Sequence, residues 1–269
     1  MLIIITGKPG TGKTLCMTDY ARRYFKEDNP PLRVWFTEKI FRKKWNYKVR
    51  IYSDFPILFK PPRKKGKKAS NFNVIDDDGI ITQVPYISSL QCRIFDLTLD
   101  NKFQDGAKFF FDEIQAKYDS MEYKDFPDSI AHYCQAHRHF DNDIYISSQS
   151  QSRIIKRLVV LAEEYQDIRS FKKILGFGVV HIRTTWDMSA NLENGMYNDT
   201  LSDVDYCRKI FRIKKVGKMY DSKYLRFLQQ DSKPYKSKMY NSLQLSKEQL
   251  LNSFFPTEEE KEHIKNMRY

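Results

Sequence analysis

No stretch of this chain approaches the ~20 consecutive apolar residues that a bilayer-spanning helix needs, which excludes a helical membrane span. Cysteine is sparse as well. Cys16, Cys92, Cys134 and Cys207 lie far apart with no C-x-x-C pair, so neither a zinc knuckle nor a disulfide framework is encoded. The four read as reduced thiols of a cytosolic protein. No basic leader precedes the first apolar residues, which excludes a signal peptide and implies a soluble or peripherally held protein. Acidic residues are nearly missing between Lys39 and Lys68, where Asp54 alone opposes Lys39, Arg42, Lys43, Lys44, Lys48, Arg50, Lys60, Arg63, Lys64, Lys65, Lys67 and Lys68. That segment holds most of a net charge of +12. Trp45, Tyr47 and Tyr52 are interleaved with its cations. Lysines that neutralise phosphates beside rings that stack on bases suit nucleic acid first, and an anionic membrane face second. A solvated loop is the alternative, above all for Pro61 to Lys68.

Glycine is scarce too, at 10 residues in 269, yet positions 7, 10 and 12 are all glycine. They belong to Gly7-Lys8-Pro9-Gly10-Thr11-Gly12-Lys13-Thr14, the pattern G-x-x-x-x-G-K-[ST] of a phosphate-binding loop. The glycines let backbone N–H groups turn toward phosphate oxygens. Lys13 brings a point charge to the β- and γ-phosphates, and the Thr14 hydroxyl can ligate Mg²⁺. Leu2 to Thr6 supplies the buried strand that should precede such a loop. Leu15, Thr18, Ala21, Arg22 and Phe25 recur at helical spacing after it, until Pro30-Pro31 stops the pattern. A helix N-terminus thus faces the same phosphates. The nucleotide-contacting set is Gly7 through Leu15.

Strand and helix signals alternate over the first two thirds. Arg50 to Phe55, Lys108 to Asp112 and Asp143 to Gln149 read as strands, and Pro127 to His139 as a helix. Ile130, Tyr133, Cys134 and His137 form one stripe of that helix; His132, Gln135 and His139 form another. Alternation of this kind implies a doubly wound parallel sheet. Beyond about residue 175, Phe177 to Trp186 and Tyr206 to Val216 are β-rich, and the tail from Ser242 is charged and helical in pattern. The expected organisation is an ATPase domain over 1–185 with a basic insertion at about 39–73, a β-rich extension over 186–241, and a helical tail over 242–269.

Phe109-Phe110-Phe111-Asp112-Glu113 delivers two carboxylates to the carboxyl end of a strand. In an ATP-hydrolysing site Asp112 holds Mg²⁺ and Glu113 polarises the attacking water. An ordinary strand-to-helix corner is the other reading of Asp-Glu, and the phosphate loop weighs against it. Gln149 closes the next strand, where an amide can contact both the γ-phosphate and the lytic water; a polar strand terminus is the alternative.

GKPGTGKT, then FFFDEIQ, then HRHFDNDIYISSQ resemble the zonula occludens toxin family, which includes filamentous-phage assembly ATPases and is akin to ATPases that pump DNA. The resemblance covers about residues 1–185, with weaker likeness at Ile51 to Pro56 and Tyr220 to Tyr224. It implies a P-loop NTPase fold of the RecA/FtsK-HerA kind, with Gly7 to Thr14 as nucleotide loop, Asp112 as metal ligand, Glu113 as catalytic carboxylate and Gln149 as sensor. His137-Arg138-His139 is a family block without an assigned role. Phage-exporting members usually carry a transmembrane helix after this domain, and none is visible here. Lys8 stands five residues before Lys13, as in dimeric partitioning ATPases; Glu113 beside Asp112 argues against that class.

Together these readings predict an ATP- and Mg²⁺-dependent motor that translocates DNA during virion assembly in the host cytoplasm, peripheral at the membrane face if held there. Such a motor works as a homo-oligomer, with a hexameric ring as one form and a phage or host membrane protein as a further partner. Arg153, Arg157 and Arg138 are candidates for an arginine acting on a neighbour's nucleotide. A nucleotide switch with little turnover and a partitioning-type dimer are the rival expectations.

Overall fold

The structure is a computed structural model that describes residues 1–59, 72–75, 81–84, 92–101, 103–121, 126–172, 179–187, 206–211, 216–220, 258–259 and 262. Its first elements are β1 (Leu2–Thr6), α1 (Lys13–Asp28), α2 (Pro31–Trp35), β2 (Asn46–Lys48), β3 (Ile51–Ser53), β4 (Phe72–Ile75) and β5 (Ile81–Val84). They are followed by β6 (Lys108–Phe111), α3 (Asp128–Ala136), β7 (Asp143–Ser148), α4 (Lys156–Leu161), β8 (Glu164–Lys172), β9 (Val179–Asp187) and β10 (Tyr206–Phe211). One seven-stranded sheet runs β10-β9-β8-β1-β7-β6-β3. The five strands from β8 to β3 are parallel. β9 and β10 continue the sheet antiparallel, as a hairpin-like addition beyond β8.

All five residues of β1 are buried because the sheet is covered on both faces. Side-chain alternation sends Ile3 and Ile5, Phe110 and Tyr145 against Cys16, Met17, Ala21 and Phe25 of α1. It sends Leu2 and Ile4, Phe109 and Phe111, Ile144 and Ile146 into a second core with Ile130 and Tyr133 of α3 and Leu158 of α4. Each fully buried Ile or Phe contributes ~1.5–3 kcal/mol from apolar burial. The expected doubly wound α/β arrangement is what these two cores make. Along α3 and the 3-10 turn His137–Phe140 into which the expected helix tightens, the stripes separate as their periodicity predicts: Ile130, Tyr133, Cys134 and His137 are buried, while His132, Gln135 and His139 are exposed.

The segment after Pro30 departs from the expectation of a simple stop. α1 does end at Asp28, where the buried Asn29 amide donates to Phe25 O (3.0 Å) and Lys48 O (2.6 Å). Pro31 then opens α2 instead of a loop, since the first turn of a helix needs no donor from proline. A π-helical turn from Phe36 to Ile40 prolongs α2 until Arg42 adopts a left-handed φ of 53°. Beyond it, β2, β4 and β5 form a small separate sheet. The lysines at 64, 65, 67 and 68, the Asp221 to Tyr224 motif, Arg212, Lys214 and Lys215 lie outside the described residues, as does the tail apart from helical positions at 258, 259 and 262.

Candidate nucleotide-binding and catalytic site

β1 ends at Thr6, and the loop Gly7 to Gly12 turns into α1 at Lys13. Two glycines are required by the geometry. A Cβ at Gly7 would stand 2.6 Å from Ile168 O, and Gly12, at φ 99°, would drive one to 2.7 Å from the His181 ring. Lys8, Pro9 and Gly10 at the loop's crest are exposed, Leu15 is half-buried, and Thr11 closes the turn through its N–H (3.2 Å) and hydroxyl (2.8 Å) on Lys8 O.

The two carboxylates sit beside this loop even though their strand does not pair with β1. β7 lies between, and its Ser147 connects them. The buried Ser147 hydroxyl donates to Asp112 Oδ1 (2.5 Å) and accepts from Glu113 N (3.0 Å). Asp112 Oδ2 accepts from the Thr14 hydroxyl (2.6 Å), and Asp112 N donates to Asp54 Oδ1 (3.0 Å). Glu113 occupies a left-handed backbone conformation, φ 51°, uncommon for a residue with a Cβ. Its Oε1 lies 3.1 Å from Lys13 Nζ, and its Oε2 accepts from the Gln115 amide. Lys13 is buried and also donates to Gly7 O (3.0 Å). Thus Gly7, Lys13, Thr14, Asp112 and Glu113, named from the sequence, share one contact network. Gln149 follows β7 at the same edge, exposed, with no hydrogen bond placing it in that network.

Electrostatically the site is tense. Burial pushes the Asp112 carboxyl above the ordinary carboxylate range, against the hydroxyls of Ser147 and Thr14 that favour its charged form; nearby Glu113 pushes the same way. Behind it, burial raises Asp54 to about 6 against the pull of the Lys117 ammonium, with which it forms a fully buried ion pair. A cation placed between Thr14 Oγ1 and Asp112 Oδ2 would relieve this. The donor set, a hydroxyl and a carboxylate already within 2.6 Å, is of the hard-oxygen kind that Mg²⁺ takes with water and phosphate completing its shell. The residues fit the ion.

Sequence reasoning missed four contributors. Ser147 was hidden as a small polar residue in an apolar strand, although a serine two places before a strand's polar end is a signal to weigh. Asp54 counted only as the acid in a basic run; its place directly after β3 was the clue. His181 and Arg183 lie in the β-rich end of the expected ATPase domain over 1–185, where neither residue was given a role. His181 Nδ1 bonds Thr11 O (2.6 Å), and burial holds its pKa below the usual value. Arg183, also buried, lies over the Tyr20 ring (4.8 Å) and donates to Cys16 Sγ (3.8 Å).

The fold is a mostly parallel α/β sheet with a phosphate-loop motif between β1 and α1. In structure the chain is similar to the N-terminal domain of zonular occludens toxin from Neisseria meningitidis, at 19% identity and TM-score 0.42, covering 82% of this chain and 98% of that one. It is also similar to the genome packaging NTPase B204 of Sulfolobus turreted icosahedral virus 2 in complex with ATP-gammaS, at 10% identity and TM-score 0.37, covering 78% and 96%. No family model and no curated protein matches the sequence.

The remaining candidates take no part in the contact network. His137-Arg138-His139 lies at the opposite, amino-terminal end of the sheet. There His137 bonds Cys134 O (2.6 Å), and Arg138 pairs with Glu163 (3.2 Å), whose carboxylate also accepts from Leu2 N (3.2 Å). The block fastens the start of β1. Among the described residues no cluster of His, Cys, Asp or Glu could hold a metal on its own. Arg153, just past β7, pairs with Asp119 (2.9 Å), and Arg157 with Asp128 (2.6 Å), both at the surface.

Proposed function

We propose that the chain is an ATP-hydrolysing motor that moves DNA during phage or virion assembly. The observation that carries the nucleotide half is the network joining Lys13, Thr14, Asp112 and Glu113 with Ser147, built from three separate stretches of sequence. The backbone of Gly7 to Gly12 and the start of α1 would receive the phosphates of ATP, with Lys13 at the β- and γ-groups. Thr14 and Asp112 would hold Mg²⁺, which when bound screens the phosphate charge and orients the terminal group. Entry of phosphate gives Lys13 a stronger partner than Glu113, and the released carboxylate can then take a proton from water. Gln149, at the same edge, would report the γ-phosphate. Arg153 stands at that edge also and Arg138 at the other, so either face of an oligomer can supply an arginine to a neighbour.

The DNA half rests on the +12 charge and its concentration near residues 39–68. One experiment tests both halves: steady-state ATPase activity of the pure chain, with and without single- and double-stranded DNA, for wild type and Lys13→Ala. Turnover stimulated by DNA and abolished by the substitution is expected. Tight ATP binding with negligible turnover would assign a switch; unchanged turnover in Lys13→Ala would remove the site.

A further inference from the structure

The described residues from Pro31 to Lys44 contain no buried side chain, yet they include Leu32, Trp35, Phe36, Ile40 and Phe41. These are 73%, 52%, 46%, 51% and 65% exposed, the densest run of bare apolar side chains in the described molecule. Their arrangement is that of an outward face. Val34, on the other side of the helix, packs against the core with Trp45, while Leu32, Trp35 and Phe36 at i, i+3 and i+4 point away together. Trp35 and Phe36 meet edge to face at 5.1 Å, presenting one aromatic surface. Cations rim this surface: Arg33, Lys39, Arg42, Lys43 and Lys44 are all exposed, against the single carboxylate of Glu38, which accepts from Tyr47 (3.0 Å).

We propose that residues 32–44 dock the protein in the plane of an anionic lipid surface. The ten helical residues reach only ~15 Å, half of a hydrocarbon core, so the element lies in the interface and does not cross it. Its apolar face enters the acyl boundary, Trp35 sits at headgroup level, and the five cations meet lipid phosphates. DNA suits this face less well, because Leu32 and Ile40 have neither phosphate nor base edge to engage. A two-fold contact with a second copy would set the five cations against their own images. The inference is independent of the motor reading, since none of these residues belongs to the phosphate site.

Flotation of the full chain with vesicles tests it, using phosphatidylcholine alone and with about one-third phosphatidylglycerol. Wild type should float with the anionic vesicles only, and Leu32→Ser/Phe36→Ser should lower the bound fraction by ~10-fold or more. Lys43→Gln/Lys44→Gln should weaken binding and flatten its salt dependence. Trp35 emission should shift to the blue on vesicle addition, a shift missing in Trp35→Phe. ATP binding by every variant should match wild type, which shows that the fold is intact and keeps this test apart from that of the motor. Failure of wild type to float overturns the proposal. So does a Leu32→Ser/Phe36→Ser variant that floats normally, loses DNA affinity instead, or converts a wild-type oligomer to monomer without lipid.

Discussion

Replacing Ser147 with alanine removes one hydroxyl that serves both carboxylates. The Asp112 carboxylate loses a 2.5 Å donor and keeps Thr14, while the Glu113 N–H loses its acceptor in a backbone conformation that is already uncommon. A hydrogen bond to a charged group contributes ~1.5–3 kcal/mol and a neutral one ~0.5–1.5 kcal/mol, so Ser147→Ala should cost ~2–4 kcal/mol. For a domain of this size that is a fall in Tm of roughly 5–15 °C. Turnover should fall at least ~10-fold, because the metal-holding carboxylate and the proton-taking one both lose their positioning. Ser148→Ala is the matched control. Ser148 is equally buried in the same strand, but its hydroxyl donates to Ser150 O (2.9 Å) and touches neither acid, so a loss of ~1 kcal/mol with near-normal turnover is expected. Differential scanning fluorimetry and a coupled ATPase assay on the two variants decide it. Equal Tm values and equal rates for both would refute the idea that Ser147 organises the site.

Glu113→Gln should keep ATP binding, measured by fluorescent-nucleotide titration, while turnover falls ~10²-fold or more; loss of Mg-ATP binding instead would make Glu113 a metal or structural residue. Neutralising Lys64, Lys65, Lys67 and Lys68 together should make the log–log salt slope of duplex binding shallower by up to ~3.6 units, at ~0.9 per contact, with basal ATPase retained. Identical slopes would move the DNA path toward Arg208, Arg212, Lys214, Lys215 and Lys218. Burial holds His181 below its normal pKa, so the unfolded chain binds that proton more readily and stability is lost as pH falls below about 6.5. His181→Gln should therefore lose less Tm than wild type between about pH 8 and 5.5; parallel curves would show that the ring titrates normally.

Much of the site was legible because its chemistry is local in sequence. Gly7 to Thr14 is a contiguous loop whose backbone does the binding, and Asp112-Glu113 follows a run of phenylalanines that fits only a doubly covered strand. The unbroken apolar runs of β1 and β6 likewise fit buried strands of a parallel sheet. What escaped notice is what only strand order brings near. Nothing local in Ile-Tyr-Ser-Asp says that Asp54 will lie under Asp112, because that follows from β3 pairing with β6 at Ser53 and Phe110. Ser147 matters because β7 runs between β1 and β6, a fact of topology and not of composition. The helix after Pro30 escaped for another reason. Its apolar residues face outward, so a reading built on burial took the prolines as an end.

The Thr11–His181 contact sets a lower limit on any fragment that could act as the nucleotide-binding unit. A chain cut after Lys172 would keep all five parallel strands, the whole phosphate loop and both carboxylates. It would nonetheless lack the imidazole that lies over Gly12 and anchors Thr11 O, and the guanidinium that rests on Tyr20 of the first helix. A unit that keeps these contacts therefore extends through β9, and substitutions at His181 or Arg183 in that late antiparallel strand reach the phosphate loop and the first helix directly.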